Sequence, residues 1–391
     1  MATTQPVDGD SAGTFLGHPK GLFVLFFAEM WERFSYYGMH ALLIFYLTKH
    51  WLFSDSDAGI IYGAYTALVY ITPVVGGYLA DKYLGQRKAV LFGAVLLTLG
   101  HFFMAFEGDP AAGTENNPIV YVFWLALALI IVGSGFLKAN ISVIVGQLYP
   151  RTDTRRDAAY TIFYMGINLG AAIGSLLCGY IGETYGWAYG FGLAGIGMLA
   201  GLVVFVWGKP LLLGRGEPPK QLAKKTEWSM YGVGIALVGV CWLAIQYQDM
   251  VGYVLGLFGG SLVLYVLFIA VVKLPSEERD RIFAAMFLIL TSIVFWALFE
   301  QAGSSLNLFT DRHVDRGGVP ASTFQSINAI YIILLAPVFA VTWQTLGRKG
   351  LEPSAPLKFG LGIVQVGLGF LVLVWGAQSV GMDAAVPVLF I

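Results

Sequence analysis

"FFAEMWERFSYYGM", residues 26–39, places two glutamates and an arginine inside a stretch that otherwise reads as a membrane-spanning helix. On insertion scales each charge near a helix centre costs roughly 2.5 to 3.5 kcal/mol, so such groups face a partner or a watery cavity. At about 100° per residue, Glu29, Glu32, Arg33 and Tyr36 fall within an arc of about 100° on one helix face. That face must look into a polar interior.

The whole chain supports a membrane setting. Of 391 residues, 57% are hydrophobic and 12% charged, against about 25% charged in soluble domains. The mean hydropathy is +0.71. The net charge of −1 implies no nucleic-acid partner, and the opening MATTQPVDGDSAGTFLGHPKG is polar and Gly-rich, without the basic n-region of a cleaved signal. Cys178 and Cys241 lie in apolar segments and read as reduced packing residues.

A spanning helix needs about 20 mostly apolar residues. Segments near 21–48, 57–80, 89–106, 118–148, 158–181, 187–208, 229–247, 250–272, 282–309, 322–346 and 359–378 meet that measure, and the closing VPVLFI reads as the first turns of another. C-terminal helices are therefore expected beyond the given chain. Lys and Arg favour cytoplasmic loops. With the N-terminus inside, those loops hold 18 of the 23 basic residues, and the outer loops hold only Lys49, Arg312 and Arg316. Arg33 and Lys138 remain within spans, with the acids Glu29, Glu32 and Glu300. Five intramembrane charges point to one shared polar cavity.

The basic stretch 209–228, GKPLLLGRGEPPKQLAKKTE, divides the chain after six spans. The expected organisation is a disordered cytoplasmic tail (1–20), an N-terminal six-helix bundle (21–208), a cytoplasmic linker (209–228), an inserted two-helix transmembrane hairpin (229–272) and an incomplete C-terminal bundle (273–391). The expected architecture is an all-α integral membrane protein, and its two six-helix bundles joined by a cytoplasmic connector resemble the major facilitator fold, in which substrate binds near the midplane between the halves.

Three motifs carry a family resemblance. GGYLADKYLGQRKAV (76–90) resembles the cytoplasmic signature of the major facilitator superfamily, with Asp81 placed to cap or pair across the turn. AEMWERFSYYG, with Glu29, Glu32, Arg33, Tyr36 and Tyr37, resembles the ExxERFxYYG signature of the proton-dependent oligopeptide transporter family. IFYMGINLGAAIG (162–174) is similar to that family's second signature, FYxxINxGS, with Ala171 in place of the usual serine. GSGFLKANI, around Lys138, extends the likeness along the chain.

The resemblance implies a proton-coupled symporter importing di- and tripeptides by alternating access. Glu29, Glu32, Arg33 and Lys138 are implied for proton coupling, with Arg33 holding one glutamate and Lys138 the other. Protonation of that glutamate would release Lys138 to meet a substrate carboxylate. The implied substrate site adds Arg33 and Lys138 themselves, Tyr36, Tyr37, Tyr70 and Trp296 as apolar walls with a polar tip, Asn168 and Asn328 as buried amides, and Glu300 for the peptide's ammonium group. No cofactor and no metal is expected. A monomeric, multi-pass protein of the plasma (inner) membrane, with peptides, protons and lipid as its partners, is expected from the same resemblance.

The remaining residues read more plainly. Gly166, Gly170 and Gly174 form a GxxxG-type series for close helix packing. His40 lies about three turns beyond Glu29 on the same face and reads first as a structural histidine, with a proton relay as the alternative. The second helix around Tyr70 has no histidine, where animal members of the family carry an essential one. Neither HExxH nor GxSxG occurs, which counts against a metalloprotease or serine hydrolase. The alternative transporter, a relative carrying nitrate or another small anion, would keep Arg33 and Lys138 and leave Glu300 unexplained.

Overall fold

The computed structural model describes residues 13–109, 117–380 and 384–390. Its helices are α1 (Lys20–Phe45), α2 (Asp55–Leu79), α3 (Gln86–Met104), α4 (Pro118–Gln147), α5 (Arg155–Tyr185), α6 (Trp187–Trp207), α7 (Lys224–Gln246), α8 (Gln248–Val272), α9 (Ser276–Phe299), α10 (Ser305–His313), α11 (Ser326–Arg348) and α12 (Ala355–Val380). Every expected span is met by a helix, and ten helical segments are apolar and long enough to cross a membrane by length and composition. Helix α1 is not one of those ten, because Glu29, Glu32 and Arg33 sit in its middle, but it runs unbroken for 26 residues.

Local chemistry sets the helix ends. The Ser54 hydroxyl accepts from the Asp57 backbone N–H at 3.1 Å, and Asp55 and Asp57 place negative charge on the first turn of α2. The Asn117 side-chain oxygen accepts from Ile119 N–H at 3.0 Å, with Pro118 opening α4. Between α2 and α3, a π-helical turn (Ala80–Leu84) ends at Gly85, whose φ of +75° takes the left-handed region that glycine favours. A side chain at Gly85 would also strike the backbone of Glu217 and Pro218.

The chain falls into two compact units: residues 1–246 with 322–333, and residues 247–321 with 334–391. In the first, α1 packs on α5 and α6, while α4 packs on α2, α3 and α7. Glycines set these crossings. A Cβ at Gly166 would lie 2.9 Å from the Phe26 ring, and Cβ atoms at Gly170 and Gly174 would strike the carbonyl oxygens of Met30 and Phe34. The GxxxG series thus forms the α1–α5 contact, as small residues in membrane helices do. Gly133 makes the same close approach to the Gly93 carbonyl between α4 and α3. In the second unit, α9 packs on α8 and α12.

Several expectations change. Residues 13–19 are not a free tail: Thr14–Phe15 and His18–Pro19 form a short antiparallel hairpin, buried His18 meets the Tyr149 hydroxyl at 2.8 Å, and Arg155 donates to the Gly17 carbonyl at 2.8 Å. Polar composition suggested disorder, yet the α4–α5 turn supplies partners. The rest of the expected tail, 1–12, lies outside the described residues. Helix α7 begins at Lys224 within the expected linker, where Lys88 ion-pairs with Glu227 at 2.7 Å. Within the first unit α7 packs on α4 and α2, and within the second α8 packs on α9.

The span near 282–309 is broken: α9 passes into a 3-10 turn, Glu300–Gly303, and the chain restarts as α10 after Ser304. Gly303 and two serines weaken the helix there. The described residues of the closing segment form a two-residue bridge, Val386–Pro387 to Val314–Asp315, and one 3-10 turn, Val388–Phe390.

Candidate functional site

The α1 face carries a buried charge cluster. Arg33 Nε donates to Glu29 Oε1 at 2.8 Å and lies 2.7 Å from Glu32 Oε2, with all three side chains at most 4% exposed. Only the Glu29 contact has hydrogen-bond alignment, so Glu29 Oε2 and both oxygens of Glu32 lack a hydrogen-bond partner. Two carboxylates against one guanidinium leave one negative charge to be balanced, an expensive state in a dry interior. The guanidinium carbon lies 5.6 Å from the centre of the Tyr36 ring, which is itself buried.

Lys138 enters from α4. Its Nζ stands 4.4 Å from the centre of the Tyr70 ring of α2, within electrostatic reach of Glu32 and His40. In this conformation Arg33 Nε contacts both carboxylates, and Lys138 acts on Glu32 electrostatically. Tyr70 is half exposed, in keeping with a wall residue.

On α5, Asn168 is buried and its amide donates to the Tyr164 carbonyl at 3.0 Å. The first turns of α11 pack beside it through Ala329, which meets Ala171, Ala172 and Tyr37. Asn328 is exposed rather than buried. Small Ala329 takes the packed face, so its neighbour in sequence is turned away from it. In the second unit, Glu300 opens the 3-10 turn at the end of α9, and half-exposed Trp296 lies edge-on to Phe295 and Phe299 at 5.4 Å each. Irregular backbone at membrane depth is tolerated where it lines a cavity or is covered by protein, which marks Glu300 as more than a misplaced acid.

A family model described as the POT family matches residues 87–388. The chain belongs to the POT family. It is 36% identical to the uncharacterized transporter YclF of Bacillus subtilis, over 96% of this chain and 77% of that protein. It is also 36% identical to the peptide transporter YePEPT of Yersinia enterocolitica, over 94% and 75%. Among solved structures, a peptide transporter POT in complex with sulfate superposes with a TM-score of 0.82 at 36% identity, covering 98% of this chain and 81% of that one. A POT family transporter in complex with 5-aminolevulinic acid gives 0.81 at 33% identity, covering 99% and 82%. This POT family chain is thus a multi-pass membrane transporter of major facilitator type, not an enzyme.

The POT family motifs hold more than sequence alone displayed. Asp81 accepts from Gln86 Nε2 at 2.8 Å, Gln86 meets Gln147 Nε2 at 3.3 Å, and Gln147 Oε1 accepts from Gly216 N–H at 2.8 Å. The cytoplasmic signature therefore clasps the segment after α6, helped by Arg87 and its ion pair with Glu217. Asn140, two residues from Lys138, bonds the carbonyls of Gly76 and Phe136 and joins α4 to α2. Glu183 accepts from Ser322 N–H at 2.7 Å and lies 3.7 Å from Lys49, tying the far ends of α1 and α5 to the start of α11. Each of these polar residues lies in an apolar stretch or turn, a signal visible in the sequence, although its partner is not.

Proposed function

We propose that the chain is a proton-coupled symporter that imports di- and tripeptides by alternating access, its N-terminus cytoplasmic in a plasma (inner) membrane. The carrying observation is the buried cluster in which one guanidinium faces two carboxylates with three orphaned oxygens. The remaining negative charge is balanced either by a proton on Glu32 or Glu29 or by the approach of Lys138. A group with two alternative neutralisers is a switch. In the protonated state Lys138 is released toward the substrate's carboxylate, beside the terminal nitrogens of Arg33.

The rest of the site follows the same chemistry. Tyr36, Tyr37, Tyr70 and Trp296 form walls of apolar rings with polar tips, which suit side chains of varied size. Asn168 and Asn328 offer amides to the peptide group. Glu300, at the break in its span, takes the ammonium group. Membership of the POT family, and relatives named as peptide transporters, support the peptide assignment.

The test is uptake of labelled dialanine by proteoliposomes with and without an imposed inward proton gradient. Accumulation above the outside concentration only with the gradient is expected. Uptake of nitrate in place of dialanine would overturn the assignment.

A further inference from the structure

His40 is a buried ionisable group beside the α1 cluster that the coupling scheme above leaves unused. An imidazole has two ring nitrogens, each of which seeks a partner. Here both share one: the Tyr62 hydroxyl of α2 lies 2.6 Å from Nε2 and 2.9 Å from Nδ1. A hydroxyl that faces the ring edge between two nitrogens bonds one at a time. Among the described residues, no other side chain or backbone group completes the second site of this 7%-exposed histidine.

Its surroundings connect it to the cluster. The Tyr36 ring stacks on it at 5.5 Å and 24°, and Tyr36 lies against Arg33. Tyr37 meets it edge-on at 6.3 Å. From the other packed helices, Tyr62 of α2 and Lys138 of α4 face it. Eight residues separate His40 from Glu32, about 12 Å along the axis, and with a cytoplasmic N-terminus His40 lies on the outer side.

We propose that His40 is a proton-handling residue of the symport cycle, a station between the outer aqueous side and the glutamates of α1; this rests on the proton-coupled symport proposed above. A proton from outer water binds the ring nitrogen that Tyr62 leaves unoccupied, giving the imidazolium. That N–H bond then breaks, and a proton is delivered through the Tyr36 hydroxyl or intervening water to a carboxylate oxygen of Glu32 or Glu29. The products are neutral imidazole and a carboxylic acid, and no electrons change hands. Lys138 repels a cation on His40, and the accepting carboxylates lie on the inner side of the ring, so release of the proton runs inward.

The experiment uses the full chain in proteoliposomes, with His40→Gln and Tyr62→Phe compared with wild type. Counterflow of labelled dialanine needs no net proton movement, whereas gradient-driven uptake does. Glutamine keeps hydrogen-bonding capacity and cannot titrate. The expected result for His40→Gln is counterflow within about twofold of wild type and gradient-driven uptake lowered roughly tenfold or more, with its dependence on outer pH flattened. Tyr62→Phe keeps the imidazole and should shift that pH profile without abolishing counterflow.

Wild-type uptake and pH profile in His40→Gln would overturn the proposal, as would equal loss of counterflow and driven uptake, which marks a structural residue. Should His40→Gln not fold, Tyr62→Phe decides, and an unmoved profile overturns it. If wild type itself shows counterflow but no gradient dependence, the coupling reading fails first, a result distinct from failure in the variant alone.

Discussion

Arg33→Lys keeps the charge of the α1 cluster and moves it. Arginine's Nε occupies the place of lysine's Cε, so the substitution puts a methylene at the point that now lies 2.8 Å from Glu29 Oε1 and 2.7 Å from Glu32 Oε2. The ammonium falls one bond beyond, a displacement of about 1.5 Å. From there it cannot keep both contacts at the same length, and the terminal nitrogens that would grip a carboxylate are gone.

Losing one charge-assisted hydrogen bond costs roughly 1.5 to 3 kcal/mol, which corresponds to roughly 10- to 150-fold in affinity. Dialanine affinity in Arg33→Lys should therefore fall by at least about tenfold, and gradient-driven accumulation should fail. Competition binding on purified protein reads the first and proteoliposome uptake the second. Adding Glu29→Gln to Arg33→Lys should recover stability, because it removes one of the two carboxylates that share the single cation. Wild-type affinity and uptake in the lysine variant would refute the geometric argument and leave charge alone as what matters.

Lys138→Ala and Glu32→Gln should each abolish accumulation driven by a pH gradient while leaving exchange measurable, and full accumulation by either variant contradicts the two-neutraliser switch. Glu300→Gln should weaken free dipeptides roughly 10- to 150-fold and change N-acetylated dipeptides little; equal effects on both ligands in competition assays would assign Glu300 a structural or proton-carrying role. Gly174→Leu places a side chain on the Phe34 carbonyl and should destabilise the α1–α5 contact by about 1 to 3 kcal/mol. It would be seen as a lowered midpoint in thermal unfolding in detergent, and an unchanged midpoint would show that the two helices can separate without cost.

What the sequence by itself determined is local. A run of some 20 apolar residues must be a spanning helix in lipid, and the helical period alone puts Glu29, Glu32, Arg33 and Tyr36 on one face. The glycine spacing of α5 and the free state of both buried cysteines were legible for the same reason. Which helix meets which face is not local, and there the tertiary structure decided. It put both glutamates on Arg33 and Lys138 over Tyr70. It folded residues 13–19 onto the α4–α5 turn, left Asn328 exposed beside packed Ala329, and broke a span at Glu300. His40 shows the division most plainly. Its residue type and place on the α1 face were there to read, but the shared hydroxyl of Tyr62 comes from another helix 22 positions away. Only a folded bundle, where a neighbour's reach decides which polar atoms are satisfied, could reveal two ring nitrogens sharing one hydroxyl.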